Sequence, residues 1–168
     1  DLIEDETLTS SNVTNNSYHA TGFVRTYDEN GKVVYDNFVN RLKAVVDTSY
    51  DIVVTFGGIN DYIGAIDFDT FKTAVDSYFS DLTTRFLDSR LVVLTPLRTY
   101  NTYKNTAGHY QTEYSDYIKQ VARSYCLPVL DLTYESGFYP FVDAFRAKWT
   151  LVPSGYTSAD GVHPNLEY

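Results

Sequence analysis

Short apolar runs alternate along this chain with stretches in which apolar residues recur every three or four positions. The clearest run lies in 51–61, Asp-Ile-Val-Val-Thr-Phe-Gly-Gly-Ile-Asn-Asp. Ile52, Val53, Val54 and Phe56 are almost continuous and rich in β-branching, which predicts a central strand buried on both faces, as in a parallel sheet. Gly57 and Gly58 end it. Before it, Phe38, Leu42, Val45 and Val46 mark a helical stripe. After it, Phe71, Val75, Tyr78, Phe79, Leu82 and Phe86 share one face of a helix over roughly 67–87, with Asp67 or Asp69 as N-cap. A second buried strand is predicted at 91–94, ended by Pro96. Tyr110, Tyr114, Tyr117, Ile118, Val121 and Tyr125 repeat the helical spacing, 129–132 reads as a third strand, and 138–149 as a short aromatic helix. Strand and helix alternate throughout the second half, which argues for a three-layer α/β/α domain around a parallel sheet.

The first residues follow another pattern. Residues 1–16 are acidic and polar without periodicity, as in an arm or loop. Residues 17–36 read as a hairpin, with 23–27 and 32–35 flanking Asp28-Glu29-Asn30-Gly31, since Asn-Gly is a strong hairpin signal. The expected organisation is therefore a polar arm and hairpin over 1–36 and an α/β domain over 37–168, with the hairpin free to reach a partner.

Composition narrows the functional classes. At 168 residues the chain is about one domain and long enough for a real core. A formal net charge of −9 argues against nucleic acid or an anionic membrane as partner. The 16 tyrosines and 10 phenylalanines suit either interfaces and sugar-binding surfaces or the rim of a core. The single cysteine, Cys126, precedes an apolar strand and is expected to be a buried structural thiol. No run approaches the roughly 18 apolar residues of a membrane helix, and no signal peptide is visible. His19 and His109 lack ligand spacing and there is no phosphate-binding glycine loop, so neither metal nor cofactor is expected. A first residue other than Met is expected of a processed chain or a fragment.

Chemistry concentrates in two places. Asn60 follows the carboxyl end of the strand in 51–61, where open α/β sheets place their ligands. Its carboxamide offers uncharged N–H donors, suited with glycine N–H groups such as that of Gly58 to an oxyanion hole. Near the far end stands Asp160-Gly161-Val162-His163-Pro164-Asn165. An aspartate three residues before a histidine is placed to orient the imidazole and stabilise its cation.

With both motifs the chain resembles the SGNH (GDSL-type) serine hydrolase superfamily from about Asn37 onward. Gly58-Ile59-Asn60-Asp61 matches its third block and Asp160–His163 its fifth, while Leu94-Thr95-Pro96-Leu97 and Pro128-Val129-Leu130-Asp131-Leu132 look like the branch found in phage and prophage tail proteins. The resemblance implies His163 as general base, Asp160 as its orienting acid, and Asn60 with Gly58 at the oxyanion. Asp61 is expected to shape the turn rather than react. The family's opening strand and Gly-Asp-Ser nucleophile are not seen. Family spacing puts that serine just upstream of Asp1, and Ser10 and Ser11 have neither an apolar strand nor Gly-Asp before them. Gly22 is set aside as the second-block glycine. The final helix is missing too, so apolar sheet surface should stand uncovered. Asn60 and His163 are expected to approach each other at the carboxyl edge of the sheet.

Three functions compete on this reading. The first expectation is the C-terminal domain of a phage tail spike or appendage, an intramolecular assembly chaperone released by serine-type self-cleavage just upstream of Asp1. It would act as a homo-oligomer, with a trimer favoured, on the upstream part of its own polypeptide. It would sit in the virion tail or outside the cell, passing through the host cytoplasm. The alternatives are a carbohydrate O-acetyl esterase, or a degenerate hydrolase fold that binds cell-surface glycan. Without a nucleophile, the isolated chain is expected to be inactive on model esters.

Overall fold

The computed structural model describes residues 13–26, 32 and 35–167. Ser10, Ser11, most of the polar arm, and the predicted hairpin turn with its second limb, Lys32 and Tyr35 apart, lie outside the described residues. Within them the chain forms α1 (Phe38–Ala44), β1 (Ile52–Phe56), α2 (Ile59–Ile63), α3 (Phe68–Arg85), β2 (Arg90–Leu94), α4 (Gln111–Ser124), β3 (Val129–Leu130), α5 (Leu132–Glu135) and α6 (Asp143–Trp149). It is a small α/β domain with a parallel three-stranded sheet in the order β1-β2-β3.

That order explains where the core lies. Parallel neighbours need right-handed crossovers, and two that step the same way across a sheet put their helices on the same face. The α3 and α4 crossovers do so. Val53, Leu91, Val93 and Val129 face Phe71, Val75, Phe79 and Leu82 of α3 and Ile118, Val121 and Ala122 of α4. Asp67 caps α3 by accepting the Thr70 N–H at 2.9 Å. The α4 helix ends in a Schellman-type turn, with the N–H of Leu127 donating to Ala122 O and that of Cys126 to Arg123 O.

The structure corrects several expectations. Among the described residues β1 is an edge strand, not a central one, and it is buried on one face only. Ile52, Val54 and Phe56 are each more than half exposed, as is Leu130 on β3. In register with them stand Arg90, Val92 and Leu94 of β2, so one apolar sheet face is open among the described residues. An apolar run shows that a strand tolerates burial; a second covering layer must come from other elements. Cys126 is exposed, not buried, because its φ of 56° reverses the chain after α4 and turns it outward. The third strand stops at Leu130, and Leu132–Glu135 is helical instead. Residues 23–26 are not a strand. Phe23 is instead fully buried in the core, its ring 5.1 Å from that of Phe38 and 5.2 Å from that of Tyr78, and the N–H groups of Phe23, Val24 and Arg25 are taken by a side chain rather than by a ladder.

Candidate active site

Gly57 and Gly58 turn the chain from β1 into α2. Gly58 has a φ of 106°, which glycine adopts without the penalty of a Cβ. A Cβ there would also meet Ile118 Cδ1 at 2.6 Å. The turn places Asn60 and Asp61 in the first turn of α2, just past the carboxyl end of β1. Asn60 donates from Nδ2 to the carbonyl of Thr21 at 2.9 Å. Asp61 is fully buried and accepts three backbone N–H bonds, from Phe23 at 2.9 Å, Val24 at 2.9 Å and Arg25 at 3.0 Å. Burial pushes its carboxyl above the ordinary range, and those three donors oppose the shift. The pair thus clamps the segment 21–25 against α2. Gly22 lies at the centre of the clamp, since a Cβ on it would sit 2.1 Å from Asp61 Oδ2. The Gly22 N–H is spent on the Arg25 carbonyl. The sequence reading made 23–27 a hairpin limb and set Gly22 aside; the contact with Asp61 spans 36 to 38 positions and leaves no local signal.

The second half of the site is a turn after α6. Asp160 Oδ1 accepts the N–H groups of Val162 at 2.8 Å and His163 at 3.0 Å, and Oδ2 lies 2.7 Å from His163 Nδ1. Gly161, with a φ of 69°, makes the turn tight enough for one carboxylate to hold both backbone and ring. Its own N–H donates to Thr150 Oγ1, and Leu151 N donates to the His163 carbonyl. The carboxylate is largely buried at 17% exposure, while the imidazole is 70% exposed. Holding Nδ1 against Asp160 selects the tautomer with its proton on that nitrogen and leaves Nε2 as the available base.

Residues 97–109, after β2, fasten the two halves to one another. The Tyr100 N–H donates to Gly161 O at 2.9 Å. On the other side, Tyr62 OH donates to Tyr103 O at 3.0 Å and Asn105 Nδ2 to Tyr62 O at 3.0 Å. Gln111 anchors the base of the loop by accepting from Thr99 N at 2.9 Å. The His163 turn is flanked by Tyr100 and Arg146, whose side-chain carbons a Cβ on Gly161 would meet at 2.7 and 2.8 Å. Arg98 lies over the ring of Phe141 at 5.7 Å. So the structure joins His163 directly to Asp160, sets Gly58 and Asn60 together on α2, and ties both pairs to the same loop.

A parallel α/β sheet with an aspartate-held histidine and an Asn-bearing turn past a strand end defines a hydrolase-type domain. The chain belongs to the GDSL-like lipase/acylhydrolase family, whose model matches residues 8–167. Among solved structures, one is 28% identical with a TM-score of 0.66, covering 87% of this chain and 68% of its own. A protein from Lactobacillus plantarum is 21% identical with a TM-score of 0.69, covering 88% of this chain and 70% of its own. LAE5, an α/β hydrolase enzyme from the metagenome of Lake Arreo, Spain, is 18% identical with a TM-score of 0.53, covering 78% of this chain and 60% of its own. No curated protein matches.

Proposed function

We propose that this chain carries the acid–base and oxyanion half of a serine-type site for hydrolysing acyl esters, with O-acylated carbohydrate as the substrate class. The observation that carries the reading is the 2.7 Å contact between His163 Nδ1 and a largely buried Asp160 with the imidazole open to solvent. A serine outside the described residues supplies Oγ. His163 takes the hydroxyl proton as Oγ bonds to the ester carbonyl carbon, and Asn60 stabilises the oxyanion. Collapse breaks the ester C–O bond, and His163 returns the proton to the leaving alkoxide. Water then repeats the sequence on the acyl-enzyme and releases the acid.

The test is hydrolysis of p-nitrophenyl acetate by the natural polypeptide that contains this chain. His163→Ala and Asp160→Asn should each lower kcat about 10⁴-fold. Asn60→Ala should lower it about 10²–10³-fold. Full activity in His163→Ala would sink the proposal.

The open sheet face favours a second reading, that of an assembly module. On this reading the domain associates with copies of itself and with the upstream part of its polypeptide, as an intramolecular chaperone of a phage tail spike would. The same His163 would then move the proton when a serine cuts the chain. Exposed apolar area of roughly several hundred Å² marks interfaces, and Ile52, Val54, Phe56 and Leu130 contribute such area from one face.

A further inference from the structure

Two residues before the Tyr100 N–H that holds the histidine turn, one cation stands without a partner. Among the described residues the other half-buried cations, Arg25, Arg41, Lys72, Arg85, Lys119 and Arg146, each donate to a carboxylate or a backbone carbonyl. Arg98 is half-buried too, yet within the described residues its guanidinium makes no hydrogen bond and no ion pair. It lies against the face of Phe141, 5.7 Å from the ring centre. Unlike the buried Nε of Arg41 and of Arg85, its nitrogens remain open to solvent. A chain with 22 acidic and 13 basic residues does not leave a cation unpaired for want of carboxylates. A partly desolvated charge without a partner costs free energy that a bound anion would offset.

The backbone on both sides of Arg98 is fixed. The buried side chain of Gln111 donates to Leu97 O at 2.6 Å and accepts the Thr99 N–H at 2.9 Å and the Thr99 hydroxyl at 3.1 Å. Thr99 is thereby drawn inward, and its neighbours Arg98 and Tyr100 stay nearer the surface. The segment continues from β2 past the carboxyl end of the sheet, where open α/β sheets place ligands. It lies within electrostatic reach of α2, for burial raises the Tyr62 hydroxyl above its ordinary pKa while Asn101 and the charge of Arg98 oppose the rise.

These features select the ligand. A guanidinium offers a fork of donors that a carboxylate matches with two parallel bonds. A phosphate monoester carries close to two charges and calls for a second cation. The guanidinium that flanks the histidine turn, Arg146, is already matched by Asp143 at 2.7 Å, so one free positive charge meets one negative charge. The side of the ester follows from the mechanism. His163 returns its proton to the leaving alkoxide, so groups at its turn face the alcohol part, whereas Asn60 faces the carbonyl oxygen. Tyr100 N bonds Gly161 O in that turn at 2.9 Å, which sets Arg98 toward the alcohol part. We propose that Arg98 binds a carboxylate on the alcohol part of the substrate, which within carbohydrate esters makes the substrate an O-acylated uronic acid. The use of the contact rests on the acyl-ester reading of the same site, but binding of the carboxylate needs no catalysis.

The experiment has two arms. In the first, the isotopically labelled 168-residue chain is titrated with D-glucuronate, with D-glucose as the neutral comparison and inorganic phosphate as the second anion, and NMR follows Arg98 Nε and the amides of 97–103. Glucuronate should shift these signals saturably in the millimolar range. Arg98→Gln should weaken that binding about tenfold. Arg98→Lys, which keeps the charge but not the fork, should recover only part of it. His163→Ala should bind as the parent does. In the second arm, the natural polypeptide hydrolyses p-acetoxybenzoate and its neutral counterpart p-acetoxybenzamide. The ratio of kcat/KM should favour the acid and fall about tenfold in Arg98→Gln. No hydrolysis of either ester would count against the hydrolase reading and leave the titration to decide on Arg98. An unchanged acid-to-amide ratio in Arg98→Gln would overturn the inference while the hydrolase reading stood. So would glucose shifting the same signals as far as glucuronate, phosphate binding more tightly, or glucuronate binding that survives Arg98→Gln.

Discussion

Asp61 shows how much one side chain can decide. Three N–H donors converge on its two oxygens, which suits an ionised carboxylate, while burial alone would keep the group neutral. Asp61→Asn keeps the shape but turns one acceptor into an NH₂ group facing N–H donors. We expect it to cost roughly 2–4 kcal/mol, from the loss of charge-assisted bonds and an unsatisfied buried donor, read as a lower urea midpoint at unchanged slope. A midpoint within experimental error of the parent would show that the clamp is not held by charge. The sequence cast Asp61 as a residue that shapes its turn; in the structure it is buried and holds the backbone of 23–25. The sequence could not show what is shaped, because the three partners lie 36 to 38 positions away and carry no side-chain signature. His163 and Asp160 were legible for the opposite reason: they are three residues apart, and one tight turn brings them together. Ser10 and Ser11 follow from the same logic. With no Gly-Asp and no apolar strand before them, the Ser10→Ala, Ser11→Ala double variant of the natural polypeptide should hydrolyse p-nitrophenyl acetate within about twofold of the parent. Loss of turnover would identify the nucleophile inside this chain.

Among elements, the helices were read best. The α3 and α4 stripes have the 3.6-residue period that only one secondary structure satisfies, and of the two caps the sequence offered, Asp67 and Asp69, the structure uses Asp67. It provides a pH test. Accepting the Thr70 N–H and hydroxyl lowers the Asp67 carboxyl below its usual value. A depressed folded pKa contributes stability that is present above the unfolded value and lost as pH falls through the folded one. Asp67→Asn keeps a capping oxygen but no charge. Its melting temperature should therefore fall below that of the parent near pH 7, and the gap should close as pH drops below the ordinary Asp range of about 3.9. A gap that stays constant down to pH 2 would remove the charge from the account. The strands were read less well. Residues 52–56 were correctly seen as β-structure, but burial on both faces was inferred from composition, and composition records tolerance rather than cover. The α2 and α5 helices, five and four residues long, span too few positions to show a period.

At the scale of the molecule, the direction of the crossovers puts the helical cover on one face and, among the described residues, leaves Ile52, Val54, Phe56 and Leu130 toward water on the other. An open sheet face of this kind drives association, since each Å² of apolar surface removed from water contributes about 25 cal/mol. The net charge of −9 acts against it, so association should strengthen with added salt, which screens repulsion and spares apolar contact. We expect sedimentation equilibrium of the chain at micromolar concentration to show species larger than 19.1 kDa. Val54→Lys, which sets a charge at the centre of the face, should weaken association at least tenfold. The stoichiometry carries further information. A face that meets its own copy generates a two-fold dimer, whereas a trimer requires the face to meet a different patch in a contact that closes as a ring. A trimer is what a spike-like assembly module demands. A dimer would mean that the sheet faces pack on each other and would count against that reading. A monomer insensitive to Val54→Lys would remove its physical support and leave acyl-ester hydrolysis as the function this fold serves.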